Sequence, residues 1–280
     1  MIYRVVIVIV LCIGMACNNL RPSTGLSIYQ AVNKAGYQRM LTQRMAKCYL
    51  SIVANIEIKE NKAVLLESAK VFEKNFLALK EYAPTEQIRD HYRFIEILWQ
   101  NYDSIYKKEF TIRNAEDILK YNNQILEANH AAVVLLENYA IEKNLYDREG
   151  ISPVDTELAV VINLSGRQRM LSQRIALYAL AQSYNIGNKA ANFRAYQKAI
   201  EDFDKAYQEL SQASINNQEI QTLYQKIDSQ WQQLKADWQV VLQLSSTPEL
   251  DTKVKEALQK TELLFLSLDR IVTLYEELKG

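Results

Sequence analysis

This 280-residue sequence predicts an all-α fold of two tandem four-helix bundle units. Three observations carry that expectation. A 14-residue block occurs twice, 130 positions apart: Asn33-Lys34-Ala35-Gly36-Tyr37-Gln38-Arg39-Met40-Leu41-Thr42-Gln43-Arg44-Met45-Ala46 and Asn163-Leu164-Ser165-Gly166-Arg167-Gln168-Arg169-Met170-Leu171-Ser172-Gln173-Arg174-Ile175-Ala176. Such a repeat divides the chain into two copies of one unit, each of about 125 residues. Proline, glycine and short capping residues also separate apolar-periodic segments of helix length. Finally, no segment alternates with period two between hairpin turns, so no strand is expected.

The first 17 residues read as an export signal, with Arg4 as the n-region charge, Val5 to Ile13 as the apolar core and Ala16 ahead of Cys17. An apolar run this short does not span a bilayer as a helix. Cys17 followed by Asn18-Asn19 is similar to the lipidation site of bacterial lipoproteins, although Gly14 and Met15 depart from the Leu and Ala/Ser of that box. The alternative is an ordinary secretory signal cleaved near Ala16. Residues 18–26, with Pro22, Ser23, Thr24 and Gly25, form a tether.

The first unit, 27–150, is expected to hold helices at 27–59, 63–82, 86–109 and 115–146, and the second, 151–280, helices at 154–186, 189–212, 217–244 and 248–279. Thr85, Asn114, Ser152 before Pro153, and Thr247 before Pro248 place a short acceptor at the first turn, where unpaired backbone N–H groups need one. Short connections between four helices suit an up-down bundle. Trp99, Tyr102, Trp231 and Trp238, on the third helices, are expected in the cores. Cys12 lies in the signal and Cys17 would carry lipid, leaving Cys48 as a lone thiol with no internal disulfide partner, read as a small buried hydrophobe.

The letters retained in the repeat are Asn, Gly, Gln and Arg rather than the Leu and Val that packing alone would keep, which points to a site. Gly36 and Gly166 fall inside helices, where glycine costs roughly 1 kcal/mol relative to alanine. Their missing side chains are expected to admit another helix or a ligand. On a wheel of about 100° per residue, Ile28, Val32, Ala35, Ala46 and Val53 form one apolar stripe with Arg39 within about 20° of its centre. Leu158, Ile162, Ser165 and Ala176 place Arg169 likewise. Arg44 and Arg174 lie about 140° away and face another neighbour or solvent. A guanidinium on an inward stripe loses several kcal/mol of hydration unless an anion or several acceptors compensate. Its planar fork matches an oxyanion or a carboxylate. Two outcomes therefore remain open for Arg39 and Arg169: a permanent ion pair with a buried carboxylate, or an exchangeable anion.

The shared text Asn-x-Ala/Ser-Gly-x-Gln-Arg-Met-Leu-Ser/Thr-Gln-Arg resembles the PilJ-type N-terminal domain of type IV pilus methyl-accepting chemotaxis transducers, and is similar to the P-box of NarX-type nitrate and nitrite sensor kinases. The resemblance covers both blocks; outside them it extends only to helical pattern and length. It implies an all-helical periplasmic sensor that binds a small ligand and reports it through helix movement. It also implies that the first arginine of each block, Arg39 and Arg169, coordinates a nitrate- or nitrite-like anion where two P-box helices meet. Asn33, Asn163 and Lys34 would assist, with Gly36 and Gly166 beside the ligand. In the sensor kinases those helices come from two subunits; one chain with two P-boxes is expected to build a pseudo-dimer. The copies differ, since Lys34 matches a basic position of the nitrate-sensor motif whereas Leu164 does not, and Arg167 replaces Tyr37. Gly-x-Gln-Arg also departs from the Gly-Ser-Leu-Arg of the nitrate kinases, so nitrate itself does not follow from the resemblance.

Lysine plus arginine equals aspartate plus glutamate at 33 each, which removes any electrostatic case for nucleic acid. His91 and His130 lie on different helices without metal-ligand spacing, and no nucleophile elbow, phosphate loop or di-iron Glu-x-x-His motif is present. Neither enzyme activity, metal nor cofactor is expected. No second membrane span or signalling coil follows the second unit, so a ligand-bound state would pass to a separate signalling or envelope protein, from a chain held at the membrane by its lipid anchor. The competing expectation is a structural helical adaptor of the cell envelope without a small-molecule ligand.

Overall fold

The computed structural model describes residues 25–145, 153–244 and 248–278. They form eight helices: α1 (Ile28–Val53), α2 (Ile58–Tyr82), α3 (Glu86–Tyr106), α4 (Ile112–Glu142), α5 (Pro153–Ser183), α6 (Lys189–Ser211), α7 (Gln218–Gln243) and α8 (Pro248–Glu277). No strand occurs among the described residues. Helices α1–α4 make one four-helix unit and α5–α8 the other.

Local chemistry explains the helix ends. Ser27 opens α1 with a reciprocal capping box: its hydroxyl accepts from the Gln30 N–H at 3.2 Å, and the Gln30 side chain accepts from the Ser27 N–H at 3.0 Å. Thr85, Asn188 and Asn217 cap α3, α6 and α7 in the ordinary way. Asn114 is a correction: Thr111 is the cap of α4, accepting from the Asn114 N–H at 3.2 Å, while the Asn114 amide turns back to the Glu109 carbonyl. Ser152, Thr247, the signal at 1–17 with Cys17, and most of the tether lie outside the described residues.

Helix α1 stops at Val53, six residues short of the expected end at 59, because Asn55 turns left-handed at φ 60° and the Ile56 N–H returns to the Ser51 carbonyl at 2.9 Å. The same closure recurs at the end of α5, with Asn185 at φ 55° and the Ile186 N–H on the Ala181 carbonyl at 2.9 Å. This is a Schellman ending, with buried Ile56 and Ile186 as its apolar contacts. Two residues on, Glu57 and Gly187 are both left-handed, at φ 40° and 75°. The internal repeat thus continues through the turn, and α2 begins at Ile58 rather than 63.

Each unit closes around a close aromatic pair. Phe72 lies 4.2 Å from Trp99 between ring centroids, and Phe203 lies 4.1 Å from Trp231. Trp99, Tyr102, Trp231 and Trp238 are all buried, as is Cys48. Aromatic pairs of this kind add about 0.5–1.5 kcal/mol beyond their burial.

The first helices do more than line their own bundles. Helix α1 packs against α2, α4 and α5, and α5 against α6, α8 and α1. From Gln38 to Ile52 every residue but Arg44 is buried, and from Gln168 to Ala181 every residue but Arg174. A helix covered all round carries no single apolar face, so the one-stripe wheel describes only the N-terminal half of each. Helices α1 and α5 together form the seam between the units.

Candidate functional site

Three polar bridges define the seam. The Arg39 Nη2 donates to Asn163 Oδ1 at 2.7 Å, Arg169 Nη2 to Asn33 Oδ1 at 3.2 Å, and Arg174 Nη1 to Gln43 Oε1 at 3.1 Å. Each joins residues separated by roughly the 130-position repeat, which requires α1 and α5 to run parallel, in register, about a pseudo-twofold axis. The arginines reach back toward the helix N-termini, the direction in which a helical side chain leans. The structure therefore brings together Arg39, Arg169, Asn33 and Asn163. It does not bring Lys34 with them, because Lys34 Nζ donates to Asn75 Oδ1 on α2 at 3.4 Å.

Beside each motif glycine stands the arginine of its own motif. A Cβ at Gly36 would stand 3.2 Å from Arg39 Nη2, and one at Gly166 would stand 3.4 Å from Arg169 Nη2. The missing side chain makes room for the motif's own guanidinium, folded back one turn. Arg39 Nε donates weakly to the Gly36 carbonyl at 3.4 Å.

Helices α4 and α8 supply the remaining partners, at positions the motif does not mark. Asn163 Nδ2 donates to Glu137 at 2.8 Å, and Asn33 Nδ2 donates to Glu276. Arg39 Nη1 donates to His130 Nδ1 at 3.3 Å, whereas Arg169 Nη1 donates to Asp269 at 2.6 Å. A third equivalent pair lies further along, where Arg44 bonds Glu262 at 2.6 Å and Arg174 bonds Asn123 at 3.1 Å. His130 and Asp269, Glu137 and Glu276, and Asn123 and Glu262 are each 139 positions apart. That offset differs from the 130 of the motif chiefly because α7, at 26 residues, is longer than α3, at 21, so an alignment of the halves anchored on the motif misses it.

Charge separates the two halves of the seam. Arg39 and Arg169 are 2 % and 4 % exposed. Arg169 pairs with a carboxylate, though not a buried one, since the Asp269 side chain is 42 % exposed, and the Tyr37 ring lies 5.0 Å from its guanidinium carbon. The partners of Arg39 are an amide, an imidazole and a carbonyl, and among the described residues no carboxylate forms an ion pair with it. Burial lowers its pKa to about 10, Glu137 works against that fall, and the charges of Arg167 and Arg169 deepen it. His130 is likewise pushed down, by burial and then by Arg39 and Arg167. Burial raises Glu137, while Arg39 and the Asn163 hydrogen bond hold it down.

Arg44 and Arg174 face neighbours across the seam. Arg44 also lies 4.8 Å from the Phe265 ring centroid, and Arg174 4.8 Å from that of Tyr178. Buried Lys47 joins Arg44 on Glu262. Surface clefts beside Asn55 and Lys255, beside Gln230 and Leu263, and beside Leu66 and Phe110 lie away from the motif. No group of His, Cys, Asp and Glu among the described residues is arranged to hold a metal ion, and no helix among them is long and apolar enough to cross a membrane.

Comparison with protein families supplies the class this helical tandem belongs to, a sensory transducer domain rather than an enzyme family. Residues 26–128 and 155–257 each match the PilJ family, described as the type IV pili methyl-accepting chemotaxis transducer N-terminal domain. These regions cover well over half of the chain, which belongs to that family and carries its domain twice. Neither a curated protein nor a solved structure matches it.

Proposed function

We propose that the chain is an extracytoplasmic sensory lipoprotein that binds a small nitrate- or nitrite-like anion at the α1–α5 seam and hands the bound state to a separate membrane or envelope protein. In this reading residues 1–17 are the export signal, Cys17 carries the lipid, 18–26 are the tether, and 27–150 and 151–280 are the two domains. The observation that carries the ligand assignment is Arg39, a buried guanidinium whose hydrogen-bond partners are all neutral, with Glu137 acting on it only from behind Asn163 and the charges of Arg167 and Arg169 opposing Glu137. A buried cation with no carboxylate in direct contact is costly, and an entering oxyanion supplies that contact through charge-assisted hydrogen bonds. The anion enters by displacing present partners of the guanidinium, and that displacement couples binding to helix position.

An anion that binds only the folded state raises stability by about 2.7 kcal/mol at a hundredfold excess over its dissociation constant. Melting the chain against nitrate, nitrite, sulfate, phosphate and acetate is expected to show a rise with at least one of them, and Arg39→Ala to abolish it in a folded helical protein. No rise with any of them would leave the second reading, a structural adaptor, which the Arg169–Asp269 pair favours on its side of the seam.

A further inference from the structure

We infer that the chain holds one oxyanion, on the Arg39 side of the seam, with Arg167 as a second cationic ligand, while Asp269 permanently fills the equivalent place on Arg169. This rests on the anion-binding reading above and gives that site a stoichiometry and a ligand set.

The pseudo-twofold lets each half serve as a template for the other. Around Arg169 the charge is matched, though its buried Nε has no hydrogen-bond partner: the Asp269 carboxylate sits on Nη1 at 2.6 Å, Asn33 accepts from Nη2, and the Tyr37 ring lies by the guanidinium. Around Arg39, Asn163 keeps the place of Asn33, but His130 stands where Asp269 would, and Arg167 stands at the position of Tyr37. One half has thus exchanged a carboxylate for an imidazole and an aromatic ring for a guanidinium. Arg167 lies close enough for its charge to disfavour protonation of both Arg39 and His130. Its own carboxylate, Asp202 at 3.0 Å, is shared with Lys198 at 2.8 Å. Glu137 is occupied by Asn163 on the far side of that amide.

Arg39 meets a neutral acceptor at Nη1 with the charge of Arg167 nearby, which favours an anion where that acceptor stands, and Asp269 marks the geometry: one carboxylate oxygen on Nη1 of the buried arginine. His130 is exposed on α4, so its ring can swing outward and leave Nη1 to a ligand oxygen. The ligand class that fits is a compact oxyanion or small carboxylate, matched by a planar donor fork.

Isothermal titration of the full chain with nitrate, nitrite, sulfate, phosphate and acetate tests this. The expected result is one anion per wild-type chain, binding weakened about tenfold or more in Arg167→Gln through loss of a charge-assisted contact, and a second, weaker anion site in Asp269→Asn, where Tyr37 stands in place of Arg167. Both substitutions fall on partly or fully exposed positions, so the test does not depend on a core variant folding. Two anions per wild-type chain, an unchanged affinity in Arg167→Gln, or no second anion in Asp269→Asn would overturn the asymmetry while leaving the chain an anion receptor. A folded wild-type chain that binds none of the five would overturn the anion reading itself.

Discussion

Gly36 and Arg39 show how a single missing methyl positions a charge. The motif pairs a glycine with an arginine three residues later in both copies, and the arginine folds back over the glycine to reach the opposite helix. Alanine at either glycine gains roughly 1 kcal/mol of helix propensity. At Gly166 the added Cβ would meet Arg169 at ordinary contact distance, 3.4 Å. At Gly36 it would meet Arg39 at 3.2 Å, and Arg39 is pinned by Asn163 and His130 inside the seam. Gly166→Ala is therefore expected to stabilise the protein by up to about 1 kcal/mol, whereas Gly36→Ala, by straining a charged hydrogen bond that is typically worth about 1.5–3 kcal/mol, destabilises it. Urea unfolding of the two variants checks the opposite signs; a shared sign would show that the guanidinium does not define the need for glycine. The sequence disclosed both glycines and both inward arginines, because each follows from helical spacing alone. It did not disclose that the close neighbour is the motif's own side chain, since that depends on the rotamer the opposite helix selects.

Among the elements, α1 and α5 depart most from the sequence pattern. Helix existence and order were legible from apolar period and punctuation, and most ends fell within a few residues. The end of α1 was not, because Asn55 and Glu57 adopt left-handed conformations without a glycine to announce them. At α4 the cap is Thr111, so Thr111→Ala is expected to cost about 1 kcal/mol in denaturant unfolding. The full burial of α1 was hidden for a related reason: Lys47 looks solvent-facing until the second bundle brings Glu262 to it, and Gln38 and Gln43 until they bond the Phe72 carbonyl of α2 and Asn122 of α4. Lys47 and Arg44 converge on Glu262 of α8. Burial pushes the Glu262 carboxyl up, but Lys47 and then Arg44 outweigh it and hold the pKa at about 2. An unfolded glutamate titrates near 4.3. The folded state thus favours the carboxylate, and its contribution is fully present above about pH 4.3 and lost as the pH falls towards about 2. Glu262→Gln is expected to remove that acid dependence and to cost roughly 2 kcal/mol at neutral pH, less than breaking a fully buried pair because the Glu262 side chain is 34 % exposed. Stability curves for both proteins from pH 7 to about 2 read out the difference; parallel curves would mean that the cluster does not titrate as described.

At the scale of the molecule, the seam between α1 and α5 is a homodimer interface written into one chain. Its contacts come in pairs, Arg39 to Asn163 with Arg169 to Asn33, and Arg44 to Glu262 with Arg174 to Asn123, the reciprocity of an isologous interface. The repeat in the sequence announced two units, but their juxtaposition depends on partners from α4 and α8 that the motif does not mark. Divergence has then been free to specialise each side, as a single chain allows and a true dimer forbids. Produced alone, residues 27–150 would expose the α1 face that α5 covers, including Arg39 and Lys47, and that face is built to meet a copy of itself. The isolated first unit is therefore expected to dimerise through α1, with Arg39 of one copy on Asn33 of the other. Such a dimer would present Asn123 where the native seam presents Glu262, leaving Lys47 without its carboxylate. Asn123→Glu should restore the pair on both sides at once and tighten the dimer by about tenfold or more, given about 1.5–3 kcal/mol for a charge-assisted hydrogen bond. Sedimentation equilibrium of the isolated unit with and without Asn123→Glu decides it: a folded monomer, or a dimer indifferent to the substitution, would show that the two units are joined by the chain rather than by an interface descended from self-association.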